Sequence, residues 1–249
     1  VALPFQFVYS HRYDLNLGEH VFPAVKYRLV YERLLAQGLA APGDFVEPEP
    51  ASDEDVLRVH TVDWVRNLKT GALSEAERAR LEIPYSRQMV EAAWMAVGGS
   101  ILAAKLALRD GLGFNIGGGF HHAFAGHGEG FCPLNDIAVA IRRLQHEGKI
   151  RRAMVVDVDV HHGNGTAAIF ADDPTVFTLS IHQYRNSTTL TRSRRATSIF
   201  TLRMPAPTRS TSGGCMSSTR RCCSSINPIC WFMWLEPTPI ITTNWAGWL

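Results

Sequence analysis

Apolar and polar positions along the chain change period several times, and the changes mark out alternating strands and helices. Phe5 to Tyr9 reads as a first buried strand, followed by a polar loop through His11, Tyr13 and Asp14. Pro23 opens a helix in which Val25, Leu29, Val30 and Leu34 recur at helical spacing, closed by Gly38. A short strand at Phe45 to Glu47 precedes Ser52, which with Asp55 three residues on makes a helix cap ahead of Val56, Leu57 and Val59. Trp64, Val65 and Leu68 predict a second short helix. Met89 to Leu108 predicts a long alanine-rich one, whose central Gly98-Gly99 pair is tolerable where another element packs closely.

The alternation continues in the second half. Phe114-Asn115-Ile116 is a strand, and Gly117-Gly118-Gly119 lets the backbone turn sharply before Phe120-His121-His122-Ala123. Asn135 or Asp136 caps a helix through Ile137, Val139, Ile141 and Leu144 that stops near Gly148. A strand over 153–160 follows, then a helical turn from Thr166 to Phe170 and a strand from Val176 to Ile181 ending in His182. This order predicts an α/β fold around a mostly parallel sheet. Sites in such sheets form outside the carboxyl ends of the strands, where His121, His122, Asp159, His161 and His182 all fall.

The strand at 153–160 carries the chemistry. Period-2 alternation sets Val156, Val158 and Val160 on one face and Asp157, Asp159 and His161 on the other, just before Gly163-Asn164-Gly165. Unpaired carboxylates in so apolar a strand would cost several kcal/mol each. A divalent metal satisfies Asp159 and His161 together. The plainer alternative makes the Asp residues loop caps and the His residues hydrogen-bonded core groups. For His121 and His122 the plainer alternative is a polar loop pair facing water. His127 reads as solvent-exposed, His182 as structural, and Cys132 as a small buried residue rather than a nucleophile. His20 and His60 carry no argument.

Composition adds a break. The 249 residues suit one large α/β domain or two small ones, and 46% hydrophobic with 19% charged residues is ordinary for a globular protein. No apolar run approaches the ~20 residues that span a bilayer. The opening Val1-Ala2-Leu3-Pro4-Phe5 lacks the form of a signal peptide, so the expectation is a cytoplasmic protein without membrane association. Residues 1–186 hold all ten His, and 18 basic against 22 acidic residues give them a formal charge of −4. Residues 187–249 hold seven Arg, no Lys, one acid (Glu236), four of the five Cys and 20 Ser or Thr. The net +2 therefore sums two unlike parts and gives no reason to expect nucleic-acid binding.

Three blocks stand in order: Gly117-Gly-Gly-Phe-His-His-Ala123, Gly130-Phe-Cys-Pro-Leu-Asn-Asp-Ile137 and Asp157-Val-Asp-Val-His-His-Gly-Asn-Gly165. Together they resemble the histone deacetylase superfamily, and the first and last lean towards its class IV-like branch with prokaryotic members. The resemblance covers residues 1–186 and implies a three-layer arginase–deacetylase fold. It implies that Asp159 and His161 are two of three ligands of a catalytic Zn2+, with Fe2+ as the alternative metal. His121 and His122 would be the tandem histidines that move protons, Asp157 the partner of His121, and Asn164 the partner of His122 where some members have Asp. A neutral partner there implies a lowered His122 pKa. Gly130 and Phe131 would wall a narrow acyl-lysine channel. Asp157, Asp159, His161, Ser180 and Ile181 would surround a structural K+ or Na+. The substrate implied is an acylated lysine peptide, or a small acylated amine such as an acetylpolyamine.

The pattern lacks its last pieces. The family's third ligand, an Asp, and its oxyanion Tyr have no counterpart, since Glu236 is the only acid after residue 186 and no Tyr follows Tyr184. Reading Met233 to Leu249 from the third codon base permits VAGADPYYNDQLGGLA, which resembles the missing ligand turn. The same offset permits PDLLVY at Asn227 to Phe232 and VDIHIADAGT at Thr197 to Thr208. Three matches at one offset point to a slipped reading frame near Asn186 to Thr191. On that reading residues 187–249 are an aberrant tail that leaves the sheet incomplete, the strand at 176–181 with a bare edge, and the chain inactive as written. A four-cysteine zinc site at Cys215, Cys222, Cys223 and Cys230 is the rival, but it lacks Cys-x-x-Cys spacing. A non-catalytic remnant of the family is the other alternative.

Overall fold

A computed structural model describes residues 3–183, 198–202, 231–235 and 240–243. The strands are β1 (Phe7–Val8), β2 (Phe45–Val46), β3 (Leu112–Asn115), β4 (Ala153–Asp157), β5 (Val176–Gln183), β6 (Ser198–Leu202), β7 (Trp231–Leu235) and β8 (Ile240–Thr243). They form one sheet in the order β2-β1-β3-β8-β7-β4-β5-β6. Among the described residues every neighbouring strand pair is parallel except the two that β7 makes, so there β7 alone runs backwards.

The helices are α1 (Lys26–Ala36), α2 (Asp53–Leu57), α3 (Val62–Thr70), α4 (Glu75–Leu81), α5 (Arg87–Asp110), α6 (Asp136–His146) and α7 (Asn164–Ile169). Their starts follow from capping side chains: Ser52, Thr61, Ser74, Ser86 and Asn135 each accept a backbone N–H of the first turn. The sequence reading passed over α4, although Ser74 and Glu77 make a reciprocal capping box. In α1 the face that meets the core is Tyr27, Val30, Tyr31 and Leu34, while Val25 and Leu29 are exposed.

Helix α5 is the spine of the core. It is long and apolar enough to cross a bilayer, contrary to the expectation from apolar runs, but 78% of its most apolar window is buried inside the fold. It packs on β3 and α6, and Gly98 lets the backbone of Glu49 to Ala51 lie against it.

Two expectations need correction. Strand β4 stops at Asp157 rather than running to 160, because the carboxylates accept backbone donors themselves: Asp159 N–H to Asp157 Oδ1 at 2.9 Å and His161 N–H to Asp159 Oδ1 at 2.7 Å. Along 153–160 the buried positions are Ala153, Val155, Asp157 and Asp159, and Val156, Val158 and Val160 are only half-buried. Nor is β5 left with a bare edge, because β6 pairs with it in parallel, and β7 and β8 sit between β3 and β4. These three segments are rich in β-branched and aromatic residues, which suits them to strands whatever their period.

Candidate functional site

The tandem histidines are fixed from below by α6. Gly119 N–H and Phe120 N–H donate to Asp136 Oδ1 at 3.1 and 2.7 Å, and the Ser100 hydroxyl donates to the same buried carboxylate. Burial pushes the Asp136 carboxyl up, against these donors. Its neighbour Asn135 caps α6 and also donates from Nδ2 to Ala123 O at 3.1 Å and Thr166 Oγ1 at 3.0 Å. Thr166 N–H in turn donates to His121 O at 3.0 Å. The glycine turn and the histidines are thus held by the first residues of two helices.

His121 and His122 then meet the end of β4. His121 Nδ1 lies 3.0 Å from Asp157 Oδ2, and its Nε2 lies 3.7 Å from Asp159 Oδ1. His161 Nδ1 approaches the same Asp159 oxygen at 3.0 Å. His122 Nδ1 lies 2.7 Å from Asn164 Oδ1, with its ring 3.9 Å from that of His121 and 5.9 Å from that of His161. Gly163 is required by this closeness, since a Cβ there would stand 2.2 Å from Asp157 Oδ2. The predicted residues Asp159, His161, His121 and His122 therefore converge at one strand end.

Burial sets the protonation of this cluster. It presses His121 down to about 4 and His122 to about 3, where the neighbouring His121 adds to the effect. Burial is the leading cause of the His122 shift, and the Asn164 hydrogen bond opposes it. Burial raises Asp157 and would raise Asp159, but hydrogen bonds and charge from His161 and His121 hold Asp159 at about 2. The Asp159 bond raises His161. The favoured state is neutral His121 and His122 beside an ionised Asp159.

The expected channel wall is a tight turn. Gly130 and Phe131 are left-handed, with φ of +51° and +69°, and a Cβ on Gly130 would stand 2.7 Å from His122 Cδ2. Their N–H groups donate to Arg80 O and Leu81 O at the end of α4, which tethers the turn and holds Phe131 in its strained left-handed backbone. Phe131 packs edge-on against His20 and near Phe22, at 5.2 and 5.9 Å between centroids. Asp157 and Ser180 are register partners on β4 and β5, and Ser180 Oγ lies 2.9 Å from His182 Nδ1. Ile181 is half-buried on β5 next to them. Among the described residues no group of three or more His, Cys, Asp or Glu converges as a metal site, so Asp159 and His161 form a two-donor set.

Other histidines differ from their expected places. His127 is half-buried, stacks on Phe124 at 4.6 Å and faces Glu129 at 3.5 Å. His60 is buried, and its Nε2 accepts Asn135 N–H at 3.0 Å, a role invisible in an isolated residue. Cys132 is buried and free, and burial pushes its thiol up, as suits a packing residue. The sequence reading missed Lys26, whose ammonium lies 4.1 Å over the Phe22 ring. Burial lowers it to about 8 while the Asp159 charge pulls it back up. It also missed Glu129, directly before the Gly130-Phe131 pair.

Comparison with known proteins agrees with this arrangement. The profile of the histone deacetylase domain matches residues 20–234. The chain belongs to the histone deacetylase domain family. It is 46% identical over 164 residues to an uncharacterized protein of Picosynechococcus, covering 66% of this chain and 55% of the relative. It is 36% identical over 189 residues to the acetoin utilization protein AcuC of Bacillus subtilis, covering 71% and 49%. Histone deacetylase 2 of Arabidopsis thaliana is 34% identical over 193 residues, covering 70% and 48%. The chain thus spans about half the length of the curated relatives it matches. The crystal structure of a histone deacetylase homolog from Aquifex aeolicus superposes with a TM-score of 0.59 at 27% identity, covering 72% of this chain and 50% of that one. The α/β deacetylase fold around a mostly parallel sheet is therefore the fold of this family member.

Proposed function

We propose that this site belongs to a zinc-dependent amidohydrolase that removes an acetyl or other acyl group from an acyl-lysine or similar amide. The observation that carries the reading is the meeting of His121 Nε2, His161 Nδ1 and Asp159 Oδ1 at one strand end, with the His122 ring beside them. The donor chemistry fits a borderline metal: a carboxylate and an imidazole 3.0 Å apart are of the types that suit Zn2+, and Fe2+ by the same nitrogen and oxygen preference. When bound, zinc would supply Lewis acidity towards the amide carbonyl and towards water.

The chain's own residues would do the rest. His122, oriented by Asn164 and neutral, takes a proton from the attacking water and returns one to the leaving amine. His121, backed by Asp157, holds its Nε2 towards the reacting centre. Gly130 and Phe131 would line the acyl chain, and Asp157, Asp159, His161, Ser180 and Ile181 would enclose a K+ or Na+ beneath. A small acetylated amine is the alternative substrate, and the site would be reached from a cytoplasmic compartment.

One observation favours a second reading, a non-catalytic remnant. Residues 187–249 contain no Asp, His or Tyr, so no third ligand of the family's type and no oxyanion Tyr can come from them. A slipped reading frame beyond residue 186 accounts for that loss. The test assays the chain as written, a frame-restored chain and its His122→Ala variant on an acetyl-lysine peptide with zinc. The frame-restored chain should turn over, the written chain should not, and His122→Ala should lose roughly 10²–10⁴-fold. Equal turnover by written and restored chains would remove the frame-slip account. Full activity in His122→Ala would reassign the base.

A further inference from the structure

Asn164 touches His122 on one side and Glu129 on the other. Its Oδ1 lies 2.7 Å from His122 Nδ1, and its Nδ2 donates to Glu129 Oε1 at 2.9 Å. Gly165 N–H donates to the same Oδ1 at 3.0 Å. An asparagine amide taken alone could present either its oxygen or its nitrogen to an imidazole. Here its two outer neighbours leave no choice. A carboxylate only accepts, so the amide edge facing Glu129 is the NH2 group. A backbone N–H only donates, so the other edge is the oxygen. That oxygen needs a donor from His122, so the imidazole proton sits on Nδ1 and the lone pair on Nε2.

We infer that Glu129 is a positioning residue that fixes the Nδ1–H tautomer of His122 through the Asn164 amide. An aspartate at position 164 would dictate this tautomer by itself. With asparagine there, the acceptor-only group stands one residue further out, on the Glu129–Cys132 turn that also carries Gly130 and Phe131. Glu129 is well placed to serve. Its side chain is only 18% exposed, and its Oε2 faces His127 Nε2 at 3.5 Å. The turn that shapes the site wall therefore also orients its base. The value of the tautomer to the reaction rests on the proposed hydrolase reading, but the tautomer itself does not.

The test needs no turnover. Long-range 1H–15N correlation of the full chain at about pH 8, above the ordinary imidazole range, reports which nitrogen of His122 is protonated. We expect Nδ1–H in the parent chain, and Nε2–H there would overturn the inference without any variant. The near-isosteric Glu129→Gln can accept or donate, so the charged restraint on the amide NH2 edge is lost and Gly165 N–H alone holds the oxygen towards His122. The tautomer ratio should shift roughly 10-fold or more, the effect of one lost charge-assisted hydrogen bond. Adding Asn164→Asp to Glu129→Gln should restore Nδ1–H, because an acceptor-only group then faces the ring directly. An unchanged ratio in Glu129→Gln, or no restoration in the double variant, overturns the inference. A failed hydrolysis assay with these tautomers intact would count against the hydrolase reading alone.

Discussion

Six of the ten histidines are held below the ordinary imidazole range, and in each the leading cause is burial. His60 is the cleanest case because it lies apart from Asp159 and His161. Its ring accepts Asn135 N–H, which it can do only when neutral, and burial brings it down to about 4. A pKa lowered on folding means that the unfolded chain binds the extra proton first. The stabilisation is complete above the unfolded value of about 6.5 and is lost as the pH falls through about 4, a contribution on the order of 3 kcal/mol. His161 runs the other way, since Asp159 raises it, so its share is present at low pH and lost as the pH rises through its folded value. Urea midpoints should therefore fall between about pH 6.5 and 4, and in His60→Gln the slope over that range should weaken by about one proton. An unchanged slope would mean that His60 is not neutral in the native state. At this scale the sequence showed which residues could act, because their spacing in three motifs is local. It could not show Glu129, whose partner Asn164 lies 35 residues away, or Lys26, which feels the charge of Asp159 at the end of β4.

Elements were legible where their signals lay within one turn of the chain. The caps at Ser52 and Asn135 and the long α5 were all readable, whereas the end of β4 depended on carboxylates folding back onto their own backbone. Gly98 separates the two kinds of signal. Helix propensity alone says that Gly98→Ala in the middle of α5 should gain about 1 kcal/mol. The fold says otherwise, because an added Cβ would stand 1.9 Å from Glu49 O and 3.0 Å from Ala51 N. Ala51 N–H also donates to Trp94 O of α5, so the strap cannot retreat without breaking that bond. Overpacking against backbone costs roughly 1–3 kcal/mol, so the net change in Gly98→Ala should be destabilising. A chemical denaturation curve with a raised midpoint would show that the strap yields freely.

At the scale of the molecule, the central question is what the segments after residue 186 do for the sheet. Without β6, β7 and β8, the order of strands would reduce to β2-β1-β3 and β4-β5, two ribbons with no hydrogen bonds between them. Strands β8 and β7 fill the gap, β8 pairing with β3 in parallel and β7 pairing with β4 in reverse. The two ribbons are also joined by α5 and α6, which pack on each other, so the halves would not simply separate. The bare facing edges of β3 and β4 would be the cost, each a row of unpaired backbone groups in what is now the middle of the sheet. The composition of residues 187–249, with one acid, no Lys and no His, and their weak periodicity give no sign of such a place. Strand pairing asks only for β-branched and aromatic runs with free backbone donors, and Ile240 to Thr243 and Trp231 to Leu235 provide them. A chain ended at Asn186 should therefore unfold at a clearly lower urea concentration than the full chain. Its transition should also be broader, because the two ribbons lose their shared ladder. Amide exchange gives the sharper check: the N–H groups of β3 and β4 should lose protection in the truncated chain, while those of α5 keep theirs. Equal midpoints and equal protection in the two chains would show that the segments after residue 186 do not pair in the sheet, and would return them to the role of an appended tail.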